Sequence, residues 1–385
     1  RSNVYYDTSI LVEYDQPYKL KPSTTIGGQG LLKTSMFNDQ MITRGFLATN
    51  WVFKDIDGNN AYYPQLKVFA ENINQHTKDD SIQSVITNPF LGNGTKESPY
   101  IINTAKDMEV LSKSIGPDFD AENIYYLVSS TVGNLDLTTV DYKPIGSLTH
   151  PFKGHFDGNY ANFNLSITGQ DYLGLFGYVG ISATVKNLSV TGEITGNNNI
   201  GAIAGRNDGI ISNVYSKTNL KGNNNIGGLI GLNNGEITLM YNTGNILATG
   251  TSIGGLIGYN AGIALEGYAG GKVQGKSPVG GLIGFNTSNN IGNLYYNLTI
   301  INFDDIIEGY IKPSQAIGNQ NGYEESALEK EELTGLDVFK DGKVGLNPDE
   351  WTLKQTSGFY DYYPQLKGFV THTNATIKNN SDISS

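Results

Sequence analysis

The stretch Ile226-Gly-Gly-Leu-Ile-Gly231 decides the fold of this chain, because the same phrase returns at a nearly fixed interval. It recurs as Ile253-Gly-Gly-Leu-Ile-Gly258 and Val279-Gly-Gly-Leu-Ile-Gly284, and looser copies precede it at 172–177 and 200–205. Self-similarity with a period in the twenties is typical of a solenoid. Each copy is then one rung, which can bury its apolar face only against the rungs beside it.

Every rung repeats one internal order of residues. Asparagine stands two positions after the closing glycine, at Asn207, Asn233, Asn260 and Asn286. Tyrosine follows ten or eleven positions after that glycine, at Tyr215, Tyr241, Tyr268 and Tyr295. Because Asn and Gly tolerate the left-handed backbone of tight corners, each rung should consist of short strands joined by such corners.

These patterns predict an all-β fold. We expect a right-handed β-solenoid (β-helix) of ~26-residue rungs with terminal caps, whose strands hydrogen-bond between rungs. Two apolar columns should stack inward, one of Ile200, Ile226, Ile253 and Val279 and one of Ile203, Leu229, Leu256 and Leu282. At the amino-terminal side, Thr104 and Asp107 indicate the start of a helix, with Met108, Leu111 and Ile115 on one face.

Gly-Leu-Ile-Gly at this spacing, followed by Asn-x-Gly, resembles the GLUG repeat of bacterial surface proteins. Those proteins include large adhesins and the stalk regions of immunoglobulin A-cleaving zinc metallopeptidases. The resemblance covers the rungs at 172–297, although Val179 stands where the first copy should carry asparagine. A terminal repeat that meets a cap is commonly atypical in this way.

The resemblance implies a non-catalytic repeat segment of a bacterial cell-surface adhesin, located outside the cell. Such a segment would act as a stiff stalk or would bind a glycoprotein or glycan of a host or neighbouring cell. Two alternatives stay open: a substrate-positioning region of a secreted zinc metallopeptidase, and a β-helix enzyme that acts on polysaccharides.

The composition excludes several classes of function. The chain has 385 residues, a net charge of −11 and no cysteine, so disulfides, thiolate catalysis and cysteine-ligated zinc are excluded. The absence of a basic stripe argues against a nucleic acid partner. Asparagine interrupts every apolar run, so we expect no membrane insertion within this sequence.

A long repeat divides the chain. Tyr62-Tyr-Pro-Gln-Leu-Lys67 returns unchanged as Tyr362-Tyr-Pro-Gln-Leu-Lys367, and Trp51 corresponds to Trp351. We therefore interpret 1–75 as the truncated end of a preceding module, 76–91 as a linker, and 371–385 as the start of the next linker. Residues 92–370 would form one complete solenoid module, with its rungs at 172–297 and a carboxy-terminal cap at 298–370. The parent protein would then carry tandem copies.

Candidate chemical groups are few. The histidines His76, His150, His155 and His372 form no His-Glu-x-x-His zinc motif, and a loop role is favoured over a shared site of His150 and His155. The stretch Asp55-Ile-Asp-Gly-Asn-Asn60 suggests a calcium loop, but its counterpart at 356–359 lacks carboxylates, which favours a plain turn.

Two further sets of residues each allow a functional and a structural interpretation. The acidic pairs Asp304–Asp305 and Asp136 with Asp141 suit a glycosidase or a lyase, yet carboxylates at this spacing are common in turns. The tyrosine column suits either a sugar-stacking strip or a buried aromatic ladder, and the ladder is favoured. We therefore predict no enzyme activity and no catalytic, cofactor-binding or metal-binding residues; the binding residues stay unassigned.

Overall fold

A computed structural model of the chain describes residues 90–117, 119–298, 306–323, 326–329, 332–333, 344–352 and 363–371, with four short strands before residue 67. The chain divides into two compact units, Arg1–Pro89 and Phe90–Ser385. In the described part of the chain, no helix is long and apolar enough to cross a membrane.

The strands that the structure describes in the first unit form two pairs. Strand β1 (Val4–Asp7) pairs in parallel with β2 (Gly28–Leu31). Strand β3 (Trp51–Val52) pairs antiparallel with β4 (Gln65–Leu66), with Trp51 opposite Leu66.

The second unit is a parallel β-solenoid of about eight turns. Its strands, in chain order, are β5 (Tyr100–Ile102), β6 (Tyr125–Val128), β7 (Asn134–Asp136), β8 (His155–Thr168), β9 (Asp171–Leu173), β10 (Phe176–Val179), β11 (Thr184–Thr195), β12 (Asn198–Ile200), β13 (Ala204–Asn207), β14 (Ile210–Ser216), β15 (Asn219–Gly222), β16 (Ile226–Gly227), β17 (Ile230–Asn233), β18 (Glu236–Asn242), β19 (Ile246–Ala248), β20 (Ile253–Gly254), β21 (Ile257–Asn260), β22 (Ile263–Ala269), β23 (Val273–Gln274), β24 (Val279–Gly280), β25 (Ile283–Asn286), β26 (Ile291–Asn297), β27 (Ala327–Leu328), β28 (Trp351–Thr352) and β29 (Gln365–Leu366). The helices are α1 (Ala105–Ser114), a 3-10 helix (Leu137–Thr139) and α2 (Lys367–Thr371).

Three sheets form the walls of the solenoid. A large sheet of thirteen strands runs from β5 to β27, and two sheets of five strands contain β9–β12–β16–β20–β24 and β10–β13–β17–β21–β25. Every strand pair within these three sheets is parallel and joins successive turns. The β-solenoid prediction is therefore confirmed, while its handedness stays a prediction.

Both predicted apolar columns stack in register. Ile200 pairs with Ile226, Ile226 with Ile253, and Ile253 with Val279. In the second column the amide of Leu229 donates to the carbonyl of Leu256 over 2.9 Å. These side chains are 4% exposed or less, so the repeated Ile and Leu form one continuous core along the axis.

Glycine recurs inside the rung because backbones approach closely there. A Cβ on Gly228 would overlap the carbonyl of Gly255 in the next rung and the side chain of Asn242. A glycine at this position could make room either for the leucine column or for a neighbouring coil; its near neighbours are the backbone of the next coil and the end of β18.

The repeated asparagines form a ladder of side-chain hydrogen bonds, here called the amide ladder, inside the same core. Asn207, Asn233, Asn260 and Asn286 are fully buried, and each Nδ2 donates to the next Oδ1 over 2.7–2.8 Å. Each amide is thereby satisfied by its neighbours, which removes the cost of burying it. Val179 stands at the first position of this column; it forms a parallel bridge with Phe152, and both side chains belong to the apolar core.

Helix α1 begins as the sequence predicted. The Asp107 amide donates to Thr104 Oγ1 over 3.2 Å, and Asp107 Oδ2 accepts from the Thr104 amide over 2.9 Å, which is a capping box. Met108 and Leu111 are fully buried in the solenoid core.

The described residues of the predicted carboxy-terminal cap lie in two separate positions on the solenoid. Residues 315–318 extend the last rung, where the Leu282 amide donates to the Ala316 carbonyl over 2.8 Å and Ile317 bridges Ile283. Residues 344–352 and 363–371 lie instead against the side of the large sheet. The stretch from Glu324 to Leu336 is charged, and its composition is helix-prone. Within this stretch Ala327–Leu328 form strand β27, which pairs in parallel with β26, while Glu332 and Leu333 are helical.

Candidate functional site: a tyrosine ladder and its strap

The repeated tyrosines form a ladder on the outer face of the large sheet. Along β14, β18 and β26 the preceding residues, Val214, Met240 and Leu294, belong to the solenoid core. Because successive side chains of a strand point to opposite faces, the tyrosines point outward. Tyr241 stacks on Tyr215 at 4.6 Å and on Tyr268 at 5.0 Å, with ring planes 2° apart in both pairs.

A carboxy-terminal segment covers this ladder; we call its described residues, 344–352 and 363–371, the strap. Trp351 lies 6.0 Å from the Tyr241 ring and 5.9 Å from the Tyr268 ring, and Tyr363 lies 5.9 Å from Tyr268. Tyr268 has no exposed surface and Trp351 is 1% exposed. The prediction of a buried aromatic ladder is confirmed, and the sugar-stacking alternative has no open ring face here.

Polar contacts fix the strap at defined points. Glu266 Oε1 accepts from Trp351 Nε1 over 3.0 Å and from the Asn347 amide over 2.6 Å. The Tyr268 hydroxyl donates to the Pro364 carbonyl over 2.9 Å. Burial raises the pKa of Tyr268 well above its ordinary value, so this hydroxyl remains a neutral donor.

The strap runs back along the solenoid toward its amino-terminal half. Phe369 packs edge-on against Tyr160 of β8 at 5.1 Å and against Tyr215 of β14 at 4.8 Å. Gly368 is required beside it, because a Cβ there would overlap the Tyr160 ring. The chain therefore reaches residue 371 beside the middle turns, not beyond the last one.

The first unit repeats the pairing seen in the strap. Trp51 faces Leu66 and Val52 faces Gln65, while Trp351 faces Leu366 and Thr352 faces Gln365. Both pairs of strands are antiparallel and have the same register relative to the shared Tyr-Tyr-Pro-Gln-Leu-Lys sequence.

A second outward strip was missed by the sequence reasoning. It follows β10, β13, β17, β21 and β25 and consists of Tyr178, Arg206, Leu232, Tyr259 and Phe285. Each member directly follows the closing glycine of its rung, and this position is the signal that would have revealed the strip.

Ring stacking and one ion pair hold this strip. Tyr259 and Phe285 stack at 5.5 Å, and the Arg206 guanidinium lies 4.5 Å from the Tyr178 ring centroid. Arg206 Nη2 also lies 2.7 Å from Asp208 Oδ2. Burial alone would raise the pKa of Asp208, but hydrogen bonds from Arg206, Tyr178 and Asn234 outweigh it and hold that pKa below its ordinary value.

The histidines at 150 and 155 do not share a site. His150 lines a cavity of about 410 Å³ with Asp120 and Lys153. His155 lines a different cavity, of about 250 Å³, on the outer face of the large sheet. The other two histidines, His76 and His372, lie outside the described residues, as do Asp55–Asn60, Asp304 and Asp305.

The two carboxylates of the remaining acidic pair each bind a different partner. Asp136 Oδ1 accepts from the Thr138 amide over 3.2 Å and so begins the 3-10 helix. Asp141 is bound by Lys113 Nζ at 2.7 Å. Within the described ranges there is no cluster of three or more His, Asp or Glu side chains that could hold a metal ion.

Comparison with known proteins gives partial matches. No family model matches the chain. A protein of Evansella cellulosilytica with the provisional name Gly-rich membrane protein is 35% identical over 130 residues, which are 32% of this chain and 15% of that protein. Halomucin of Haloquadratum walsbyi is 30% identical over 151 residues, 37% of this chain and 2% of halomucin. The chain thus spans a small fraction of either relative.

Among solved structures, a protein of Bacteroides ovatus described provisionally as an immunoglobulin A1 protease is similar, with a TM-score of 0.47 and 18% identity. The alignment covers 72% of this chain and 94% of that one.

Proposed function

We propose that the chain is a non-catalytic segment of a bacterial cell-surface adhesin, which displays a binding surface on a stiff solenoid. The observation that carries this proposal is the unbroken register of the rungs, with Ile, Asn and Tyr columns stacked over successive turns. Bending such a stack would break several ladders at once, so the module resists deformation.

The strap adds a second source of stiffness. It contacts the outer face from Tyr160 and Tyr215 to Tyr268, and thereby links turns that are distant along the axis. Slippage of one turn against another would have to break these contacts. A spacer that carries load at a cell surface benefits from such a lateral brace.

The position of the strap bears on how modules would join. The chain enters beside β5, where Leu91 bridges Ile101, and it leaves beside Tyr160 and Tyr215. A following module would therefore be attached to the side of this solenoid.

Tandem copies in the parent protein are part of the proposal. The tandem arrangement is supported by the shared Tyr-Tyr-Pro-Gln-Leu-Lys sequence. It is also supported by the identical register of Trp51 with Leu66 and of Trp351 with Leu366. The same feature supports the division into 1–75, a linker at 76–91 and a module at 92–370. A location at the cell surface is supported by the relative that is named as a membrane protein.

Attachment of beads coated with the full chain tests the adhesin function. We expect such beads to attach to glycan-bearing epithelial or bacterial cells more than albumin-coated beads do. Beads coated with an unfolded variant, Leu229→Asp, should attach no better than albumin. Equal attachment of all three beads over a panel of cells would refute the adhesin role.

A further inference from the structure

The cavity beside His155 is built from three successive turns and one loop. Its floor contains Tyr125 of β6, His155 of β8 and Thr184 of β11, which are register partners. Lys96 and Pro99, from the loop before β5, form one wall. The solenoid register thus brings together side chains that are about thirty positions apart in the sequence.

The side-chain groups left open at this cavity can all donate hydrogen bonds. His155 Nδ1 lies 2.9 Å from Thr184 Oγ1; we assign that hydroxyl as the donor, and this assignment leaves the ring proton on Nε2. Tyr125 stacks on the imidazole at 4.2 Å, and its hydroxyl binds no described residue. Within the same ranges the Lys96 ammonium has no ion-pair partner.

The carboxylate at the rim is already engaged. Asp157 Oδ1 accepts from the Asn159 amide over 2.9 Å and from Asn187 Nδ2 over 3.0 Å. Its Oδ2 lies 3.3 Å from Lys186 Nζ. The positive charge of Lys96 is therefore not neutralised locally, although the chain as a whole carries a net charge of −11.

We propose that this cavity binds the carboxylate-bearing ring of an acidic sugar, either a uronic acid or a sialic acid residue of a glycan. The carboxylate would accept charge-assisted hydrogen bonds from Lys96 and an N–H bond from His155, while Tyr125 and the Asp157–Lys186 rim meet sugar hydroxyls. The cavity volume of about 250 Å³ accommodates one ring, so recognition is of a single residue within a longer glycan.

An acidic glycan would be the partner of the proposed adhesin, and in this respect the inference rests on the proposed function. Its chemistry depends on the cavity alone. The two can therefore be tested separately.

Titration of the full 385-residue chain, followed by nuclear magnetic resonance of the His155 and Lys96 signals, tests the proposal. The probes are sodium glucuronate and N-acetylneuraminate. The comparison compounds are glucose, which lacks the charge, and acetate, which lacks the ring. We expect at least one acidic sugar to bind about tenfold more tightly than either comparison compound, as one charge-assisted hydrogen bond would give. Equal affinity for glucose, or for acetate, overturns the proposal.

Matched lysine variants sharpen the test. Lys96→Ala should weaken binding of the acidic sugar about tenfold and leave the weak binding of glucose unchanged. Lys221→Ala, an exposed lysine on β15 of the same sheet, should bind like the unmodified chain. Equal binding by the two variants overturns the assignment of Lys96.

Comparing sugar binding by the unmodified chain with attachment of beads coated with it separates the two proposals. If the unmodified chain binds acidic sugars but its beads attach to no cells, the cavity assignment holds and the adhesin role fails. If the beads attach and no acidic sugar binds, the adhesin role holds and the cavity assignment fails.

Discussion

Trp351 Nε1 donates a hydrogen bond to Glu266 Oε1 over 3.0 Å, although the two residues are 85 positions apart. Glu266 lies on β22, at a left-handed backbone position with φ of 62°, and it also accepts the Asn347 amide. This contact determines where the strap meets the tyrosine ladder.

Trp351→Ala should release the strap and leave the solenoid folded. The substitution removes a nearly fully buried indole, and truncations of this size cost about 3–5 kcal/mol. Hydrogen exchange should then rise in residues 344–371 and stay slow in the Ile and Asn columns. Trp51→Ala, the equivalent change in the first unit, is the control and should leave exchange in the strap unchanged. Global unfolding of Trp351→Ala would show that the strap belongs to the same cooperative unit as the core.

Gln365→Met should stabilise the strap. Gln365 is fully buried, and neither of its side-chain amide atoms finds a hydrogen-bond partner among the described residues. Since an unsatisfied buried polar group costs about 1–3 kcal/mol, an apolar side chain of similar size should raise the melting temperature. Gln65→Met, the change at the equivalent position of the shared Tyr-Tyr-Pro-Gln-Leu-Lys sequence, is the control. A lower melting temperature for Gln365→Met than for Gln65→Met would contradict this account.

Leu229→Asp should unfold the solenoid cooperatively. The substitution loses roughly 1.5–3 kcal/mol of apolar burial and also places an unpaired carboxylate in the core. Leu265→Asp is the matched control, because Leu265 lies on the outer face of β22 and is 39% exposed. Thermal melting followed by circular dichroism should separate the two variants by many degrees. Similar melting curves would mean that the column at 229 does not form the core.

Asn233→Asp should make stability depend on pH. Asn233 donates to Asn260 and accepts from Asn207, so an ionised aspartate there is buried, loses its donor and has its pKa raised. A raised pKa in the folded state means that stability is retained at low pH and lost as the pH rises through that pKa. We expect a higher melting temperature at pH 4.5 than at pH 7.5. Asn245→Asp, at an exposed position, is the control and should lack this dependence; a flat profile for Asn233→Asp would contradict the amide ladder.

The chain should not cleave immunoglobulin A, with or without added zinc. The motivating observation is that its four histidines form no His-Glu-x-x-His motif and that it has no cysteine. Incubation of the purified chain with immunoglobulin A, followed by electrophoresis, measures this directly. Reproducible cleavage that a chelator abolishes would revive the peptidase alternative.

The sequence by itself determined the rung and its inward columns. Ile226, Leu229 and Asn233 recur with their neighbours at nearly one period, and a parallel stack has only one register that superposes them. The capping box at Thr104 was equally readable, because Thr104 and Asp107 are adjacent on one helical turn. The spacing of residues in the sequence is sufficient to predict a contact wherever a repeat or a single helical turn determines which residues meet.

Only the tertiary structure decided what happens on the outer faces. The outward tyrosines required a partner, and that partner, the strap with Trp351 and Phe369, comes from a distant part of the chain with no shared period. The cavity at Tyr125, His155 and Thr184 likewise depends on the lengths of the early turns, which deviate from the later period. The physical reason is that a repeat fixes contacts between equivalent positions, whereas contacts between unlike segments depend on how the chain returns through space.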